Sequence, residues 1–414
     1  MSENVKASFN PLDYYRLPWS LTDNGLTWFE ITSQCNLACE GCYHENILNG
    51  HKSLPEIAQE LAVYKKLRKS DCMSIAGGEP LMHPDILEIV RMVKKGGWKP
   101  IVNTNGLAMT PELLHELKKA GVFGFTFHVD TTQRRKDSDA KAEPDHNALR
   151  QKFAEMVAHE GGICCSFNQT ISEQTLDQVP EIVRWAAKYP DIVNSMVFIL
   201  FRSPEMSNRF KFEAEGESAD LSKIYSTTTW GQGRNITASD LIEKIREVEP
   251  LYEPCAYLNG TVNPEQMKWT LGERFATRSV SFGFASPKFM EVVQTFNHLA
   301  KGRWLSYGDP FMLGLGRSAM LFFGLFDSKM RKAAWRFLKS PSQWFRTTYI
   351  QTFAIIHPVD VLADGRMDMC EGCPDMTAHN GKLYWSCRLE EVKKFGTFVS
   401  AVPKDAKKKE TVGV

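Results

Sequence analysis

A chain of 414 residues with 43% hydrophobic and 24% charged residues has an ordinary globular composition, long enough for two or three domains and a large core. Fifty basic residues against 49 acidic ones leave a formal net charge of +1, which excludes a global pull toward nucleic acid and confines any charged partner to a local patch. Residues 1–17 lack the basic start, apolar core and small-residue cleavage site of a secretory signal, and ten cysteines at short spacings point to metal or redox ligation in a reducing cytoplasm.

Residues 1–26, with Pro11 and Pro18, read as an extended lead-in. From 27 to 202 the rhythm is strand, loop, helix. Residues 27–32 alternate as a strand and deliver the chain to Cys35. Ser53-Leu54-Pro55-Glu56 has the form of a capping box with proline in the first turn, opening a helix through 67. A strand over 72–76 runs into Gly77-Gly78-Glu79-Pro80, and a helix over 85–95 ends at Gly96-Gly97. A strand over 100–102 leads into Asn103-Thr104-Asn105-Gly106, after which Thr110-Pro111 caps a helix that stops at Gly121. Strands over 122–129, 163–170 and 196–201, with helices around 149–159 and 176–188, complete six units at the spacing of parallel crossovers. Such a series forms an open doubly wound sheet or a curled partial barrel, and in both the ligands gather at the carboxyl ends of the strands.

The rhythm then stops. Residues 203–235, with Pro204, Gly216, Gly231 and Gly233, read as a loop, and a short charged helix over 239–248 ends at Glu249-Pro250, so 203–250 is a linker. Residues 251–403 form a smaller, irregular, partly helical region containing cysteines, and 404–414 a lysine-rich flexible tail.

Cys35, Cys39 and Cys42 are separated by three and then two residues. Three thiolates so spaced fit one face of an iron–sulfur cube and leave one iron free for a reacting ligand, whereas a zinc site would want a fourth ligand close by. Gly77 and Gly78 let backbone approach a ligand, Glu79 can accept from an ammonium, and Pro80 completes the turn. Asn103 and Asn105 offer amides. His128 and Asp130 share one face of a strand, and Asn168 stands at the end of the next. Together these motifs resemble the radical S-adenosylmethionine (radical SAM) superfamily.

The resemblance implies a partial (β/α)6 barrel of the TIM type, a 4Fe-4S cluster on Cys35, Cys39 and Cys42, and S-adenosylmethionine on the free iron. It implies reductive cleavage of that cofactor to a 5′-deoxyadenosyl radical, hydrogen abstraction from a substrate carbon, and a reductant such as a ferredoxin or flavodoxin. Gly77, Gly78, Glu79, Pro80, Asn103, Asn105, His128, Asp130 and Asn168 are the expected cofactor contacts. Many members carry an aromatic residue just before the last cysteine; this chain has Gly41 there, with Tyr43 following.

Cys72, Cys164 and Cys165 sit in apolar strands as buried small residues. Cys370, Cys373 and Cys387, with Cys255 as a fourth ligand, fit either a structural zinc or a second 4Fe-4S cluster, and look like a reduced SPASM or twitch auxiliary domain. In residues 301–346, nine basic side chains face only Asp309 and Asp327 and are interleaved with aromatics. Two readings stand: ordinary amphipathic helices on the barrel, or an interfacial segment in peripheral contact with a membrane, suited to a lipid or isoprenoid substrate. The apolar run 311–326 falls short of the roughly 20 residues a spanning helix needs. The alternatives are the same chemistry on a peptide or small metabolite, and a non-enzymatic iron–sulfur carrier or zinc-binding adaptor.

Overall fold

The computed structural model describes residues 10–202, 209–221 and 235–404. A short β1 (Tyr15–Arg16) precedes six strands: β2 (Leu26–Thr32), β3 (Cys72–Gly77), β4 (Lys99–Thr104), β5 (Gly124–His128), β6 (Cys164–Ile171) and β7 (Ser195–Leu200). These six pair in sequence order, each parallel to the next. Helices α1 (Leu54–Leu67), α2 (Ile86–Lys95), α3 (Pro111–Ala120), α4 (Asn147–Glu160) and α5 (Val179–Lys188) fill the crossovers. A doubly wound sheet reverses its strand order once, and this one does not. Right-handed crossovers in unbroken order bring every helix back over one face, which is the barrel type of winding.

The local signals act as read. Ser53 accepts from the Glu56 amide while Glu56 reaches back to the Ser53 amide, closing the capping box of α1. Gly121 ends α3 in the left-handed region that an L side chain resists. Phe29, Ile75, Val102, Phe127, Phe167 and Phe198 turn toward the helices and join Ile57, Leu61, Ile89 and Val183 in the main core. Alternation sends the intervening residues to the inner face. There Asn103, Thr126, Ser166, Ser195, Thr352 and Glu273 stand in register across six neighbouring strands, a polar row inside the curl.

The sheet crosses the boundary drawn at residue 251. Tyr349–Ile356 lies parallel to β7, Met267–Ala276 antiparallel to that strand, Ala256–Asn259 antiparallel again, and β1 parallel on the outside. The irregular C-terminal region thus supplies regular strands to the same sheet, over a second core that includes Leu258, Phe275, Phe282, Met320 and Met330. Part of the expected loop 203–235 is also ordered: Phe210–Ala214 pairs antiparallel with Ser400–Pro403, a partner too distant in sequence to be read locally, and Gly216 turns the chain. Pro204, Gly231, Gly233 and residues 405–414 of the expected tail lie outside the described residues, as do residues 1–9 of the lead-in.

The two ends of the sheet, β1 and β2, are spanned by residues 368–379. Gly260 forms a bridge with Cys370 on one side. On the other, the buried Arg68 guanidinium donates to Cys373 O (2.8 Å) and Pro374 O (2.9 Å) as well as to Leu26 O (2.8 Å) and Leu21 O (2.7 Å), and the Ala378 amide donates to Tyr64 Oη (2.7 Å). Beyond it, Met376–His379 and Lys382–Trp385 form a hairpin on Asn380 and Gly381, both at positive φ as a primed turn requires. Replacing Arg68 by methionine strips the donor from four carbonyls, three of them buried. We expect a loss of about 3 kcal/mol in urea unfolding. Lysine, lacking the fork, should recover little of it.

Candidate functional site

The cysteine loop leaves β2 at Thr32 and is held at its base by the turn after β3. The Gly78 amide donates to Thr32 O and the Glu79 amide to Gln34 O, both at 2.8 Å, extending the strand pairing past its end. A Cβ on Gly77 would lie 2.2 Å from Thr32 O, and one on Gly78 2.3 Å from Gln34 O. The two glycines are therefore explained by the approach of one backbone to another. Glu79 has no exposed surface. Its carboxylate accepts from Leu81 N (2.9 Å), Thr104 Oγ1 (2.6 Å) and Asn105 N (2.7 Å), and burial raises its pKa. It ties the turn to the 103–106 segment, while Pro80 opens a single 3-10 turn.

Asn105 completes this tie by donating to Asn36 Oδ1 (2.7 Å) inside the cysteine loop, and Arg135 donates to Asn105 O (2.6 Å). Asn46, which sequence reading passed over, clamps Cys35 by accepting from its amide (2.9 Å) and donating to its carbonyl (3.0 Å). No spacing rule singles out such an asparagine. Gly41 has φ +69°, and a Cβ there would sit 2.4 Å from the Phe201 ring. An aromatic thus lies over the loop beside Cys42 after all, contributed from just past the end of β7.

Cys35, Cys39 and Cys42 are half-buried. Burial raises the pKa of each, and the charge of Cys42 further raises those of Cys35 and Cys39, so the thiols face one another closely enough to repel as thiolates. A bound cationic centre reverses that balance. Around one zinc, sulfurs sit roughly 4 Å apart. Among the described residues these three do not form a group with ligand atoms within 4.8 Å. The donor set fits a cluster that spreads its thiolates over separate irons better than it fits a single ion.

His128 and Asp130 meet directly, Nε2 to Oδ2 at 2.6 Å. Asp130 is buried and also accepts from Thr132 N and Thr170 N, whereas the His128 side chain keeps 35% of its surface. Burial opposes a charge on the ring, Asp130 favours it more, and the pKa of His128 rises. Asn168 is paired beside His128 on β6 and half-buried, and Asn103 Nδ2 is buried on the inner face without a hydrogen-bond partner among the described residues.

The late cysteines divide. Cys373 is raised by Cys370 and by burial, and Cys387 by burial and then Cys370, so the three stand near one another, though like the early set they form no group with ligand atoms within 4.8 Å among the described residues. Cys255 stands apart. Its Sγ donates to Leu271 O (3.2 Å) within the second core, and Cys370 bridges Gly260, five residues along the strand and so about 16 Å away. That distance is beyond any shared ligation. Asp375 faces the group instead, with its carboxyl pushed up to about 7 by burial. Tyr43 lies between the two cysteine sets: burial, then Glu30, Asp375, Cys387 and Cys42, raise its phenol. His44 sits between Glu30 (3.6 Å) and Glu390 (3.7 Å), joining the loop to the C-terminal helix Leu389–Phe395. Glutamate within an apolar strand was the signal that could have flagged Glu30 and Glu273.

Two measurements test this geometry. Gly78→Ala should push the loop off the β3 turn and cut iron retained after reconstitution by more than about half, with far-UV circular dichroism unchanged. Glu273 accepts from Thr352 Oγ1 (2.8 Å), and burial raises its carboxyl from 4.5 to about 7. A raised carboxyl destabilises the fold as pH climbs from its unfolded value through its folded one. Glu273→Gln should therefore unfold a few degrees above wild type at about pH 8, with the gap closing toward about pH 5.

Residues 29–186 match the family model described as the radical SAM superfamily. The AdoMet-dependent heme synthase of Methanosarcina barkeri is 24% identical over 179 residues, 42% of this chain and 50% of that protein. The tungsten-containing aldehyde ferredoxin oxidoreductase cofactor-modifying protein of Pyrococcus furiosus is 26% identical over 205 residues, 48% of this chain and 57% of that protein. The chain thus spans about half the length of the curated relatives it matches. Streptococcus suis SuiB bound to S-adenosylmethionine covers 54% of this chain and 47% of its own at 16% identity, with a TM-score of 0.38.

Proposed function

We propose, on the premise that residues 29–186 belong to the radical SAM superfamily, that this chain is an enzyme that cleaves S-adenosylmethionine reductively and abstracts hydrogen from a carbon of a hydrophobic substrate of lipid or isoprenoid type. The observation that carries the reading is the convergence of Cys35, Cys39 and Cys42 at the carboxyl end of β2, where the strands of such a sheet present their ligands. When bound, a 4Fe-4S cluster and S-adenosylmethionine supply the electron and the 5′-deoxyadenosyl radical.

The chain's own part is to hold and to exclude. Asn46 and the Gly77–Gly78 backbone fix the loop, and Asn105 fastens it to β4. His128, oriented by Asp130, and Asn168 offer polar atoms on neighbouring strands for the cofactor's sugar or carboxylate. Phe201 and the segment spanning the sheet ends limit water at the inner face, which protects a reactive carbon radical. Cys370, Cys373 and Cys387, with Asp375 beside them, would hold a second cluster or a zinc ion, and a ferredoxin or flavodoxin would supply electrons. The polar row from Asn103 to Glu273 favours a second reading, in which a small polar metabolite or peptide group enters the interior.

Anaerobic reconstitution separates these. Wild type should hold about eight irons per chain if both sets carry clusters, and about four plus zinc otherwise. Cys35→Ala/Cys39→Ala/Cys42→Ala should abolish 5′-deoxyadenosine formation with dithionite. Cys373→Ser should lower the metal count, and Cys255→Ser should leave it unchanged. Absence of 5′-deoxyadenosine from intact protein across lipid and polar substrates would refute the enzyme reading.

A further inference from the structure

Among the described residues, thirteen of the eighteen large hydrophobic side chains that remain exposed fall between residues 292 and 345. They belong to helices that already bury their other side. In Gly316–Gly324, Met320 and Phe323 enter the second core while Phe322 stays 60% exposed. In Ser328–Leu338, Met330, Ala333 and Phe337 are buried while Trp335 is 57% exposed. Along Pro287–Lys301, Val292, Phe296 and Leu299 recur at helical spacing on the solvent side. The pieces adjoin: Phe322 and Phe326 stack edge to face at 5.4 Å, Lys288 lies over the Phe326 ring, and Arg317 donates to Trp344 O. Single exposed apolar residues are ordinary, whereas a connected face of this extent marks something that covers it.

The charge on this face identifies the cover. The two acids within 301–346 are used locally, Asp309 accepting from Met312 N and Asp327 from Met330 N as helix caps, while Glu253 pairs Lys329 (2.6 Å) and Arg331 and Arg336 donate to backbone carbonyls. Lys332, Lys339 and Arg346 are exposed and have no ion-pair partner among the described residues. We infer that this face docks the chain on an anionic membrane surface, with Phe322, Leu325, Trp335 and Phe345 entering the acyl boundary and the lysines and arginines meeting headgroup phosphates. No helix among the described residues is long and apolar enough to cross a membrane, so the contact is peripheral.

The fold also fixes the orientation. Lys99, which opens β4, donates to Tyr307 O (2.9 Å), and Cys164, which opens β6, donates to Gly308 O (3.1 Å). Gly316 lies against Thr348 and Tyr349, where the strand parallel to β7 begins. The docking face therefore sits at the amino ends of the strands. Cys35 leaves the carboxyl end, about 20 Å away along a six-residue strand. The docked chain directs its cysteine loop away from the bilayer, so docking and cofactor cleavage are separable. The docking does not depend on the radical chemistry; its use, keeping the chain beside a hydrophobic substrate, rests on that reading.

The test is co-sedimentation of the full reconstituted chain with phosphatidylcholine vesicles, with and without phosphatidylglycerol, across a salt series. Wild type should sediment only with phosphatidylglycerol present, less as salt rises. Lys332→Glu/Lys339→Glu/Arg346→Glu should lose at least about ten-fold in vesicle affinity. Phe322→Ser/Leu325→Ser/Phe345→Ser should lose sedimentation at every salt concentration. Both should retain wild-type 5′-deoxyadenosine formation with dithionite in the absence of vesicles. Wild type that stays in the supernatant with phosphatidylglycerol vesicles overturns the inference, as does self-association that buries this face in place of vesicle binding. Neither outcome bears on the count of iron or on 5′-deoxyadenosine.

Discussion

Four backbone carbonyls, from Leu21, Leu26, Cys373 and Pro374, converge on a single buried guanidinium, that of Arg68. A planar fork of five donors is the side chain able to satisfy so many acceptors at once without water. Through it, the first strand–helix unit holds a segment more than 300 residues away in sequence. Burial lowers the Arg68 pKa to about 10, still well above neutral, so the guanidinium keeps its charge and its donors. Without this fastening the sheet has two open ends. With it, the curl has a covered inner side, and the late cysteines are carried toward the early ones.

That covering gives the interior its character. Strand alternation alone would make one face apolar and the other polar, and it does so here: aromatics meet the helices while amides and hydroxyls line the inside. Because the inner side is sheltered, its few ionisable groups are displaced from their ordinary behaviour. Glu273 and Asp375 both sit near neutrality through burial, and His128 is held toward its charged form by Asp130 despite burial. Tyr43 stands between the two sets of cysteines, within reach of the charges of both. The two ends of the strands also differ in kind. The carboxyl ends carry the thiol loop and its ties, and the amino ends carry an apolar, basic exterior.

Much of this is legible in the sequence alone. Residues 35–42 announced their chemistry because ligand spacing is local, and the six units announced theirs because helix caps, glycine stops and alternation are local too. The capping box at Ser53 needed nothing beyond its own few residues. The basic and aromatic composition of 301–346 could likewise be read, but which aromatics would be left outside could not.

What only the tertiary structure decided concerns partners distant in the chain. Sequence order of the six strands ruled out the doubly wound arrangement, a matter of pairing that periodicity does not carry. Cys255 looked like a fourth ligand until strand register placed it about 16 Å from Cys370. Gly77 and Gly78, expected at a ligand, are also where two backbones come within contact of each other, which only the pairing of the two segments decides. Asn46, Phe201 and Arg68 carry no signature at all. Local sequence determines which elements form and which side chains are available, since propensity, caps and ligand spacing act within a few residues. Which of those side chains meet is settled by the packing of strands far apart in the chain, and that information is held in no single stretch.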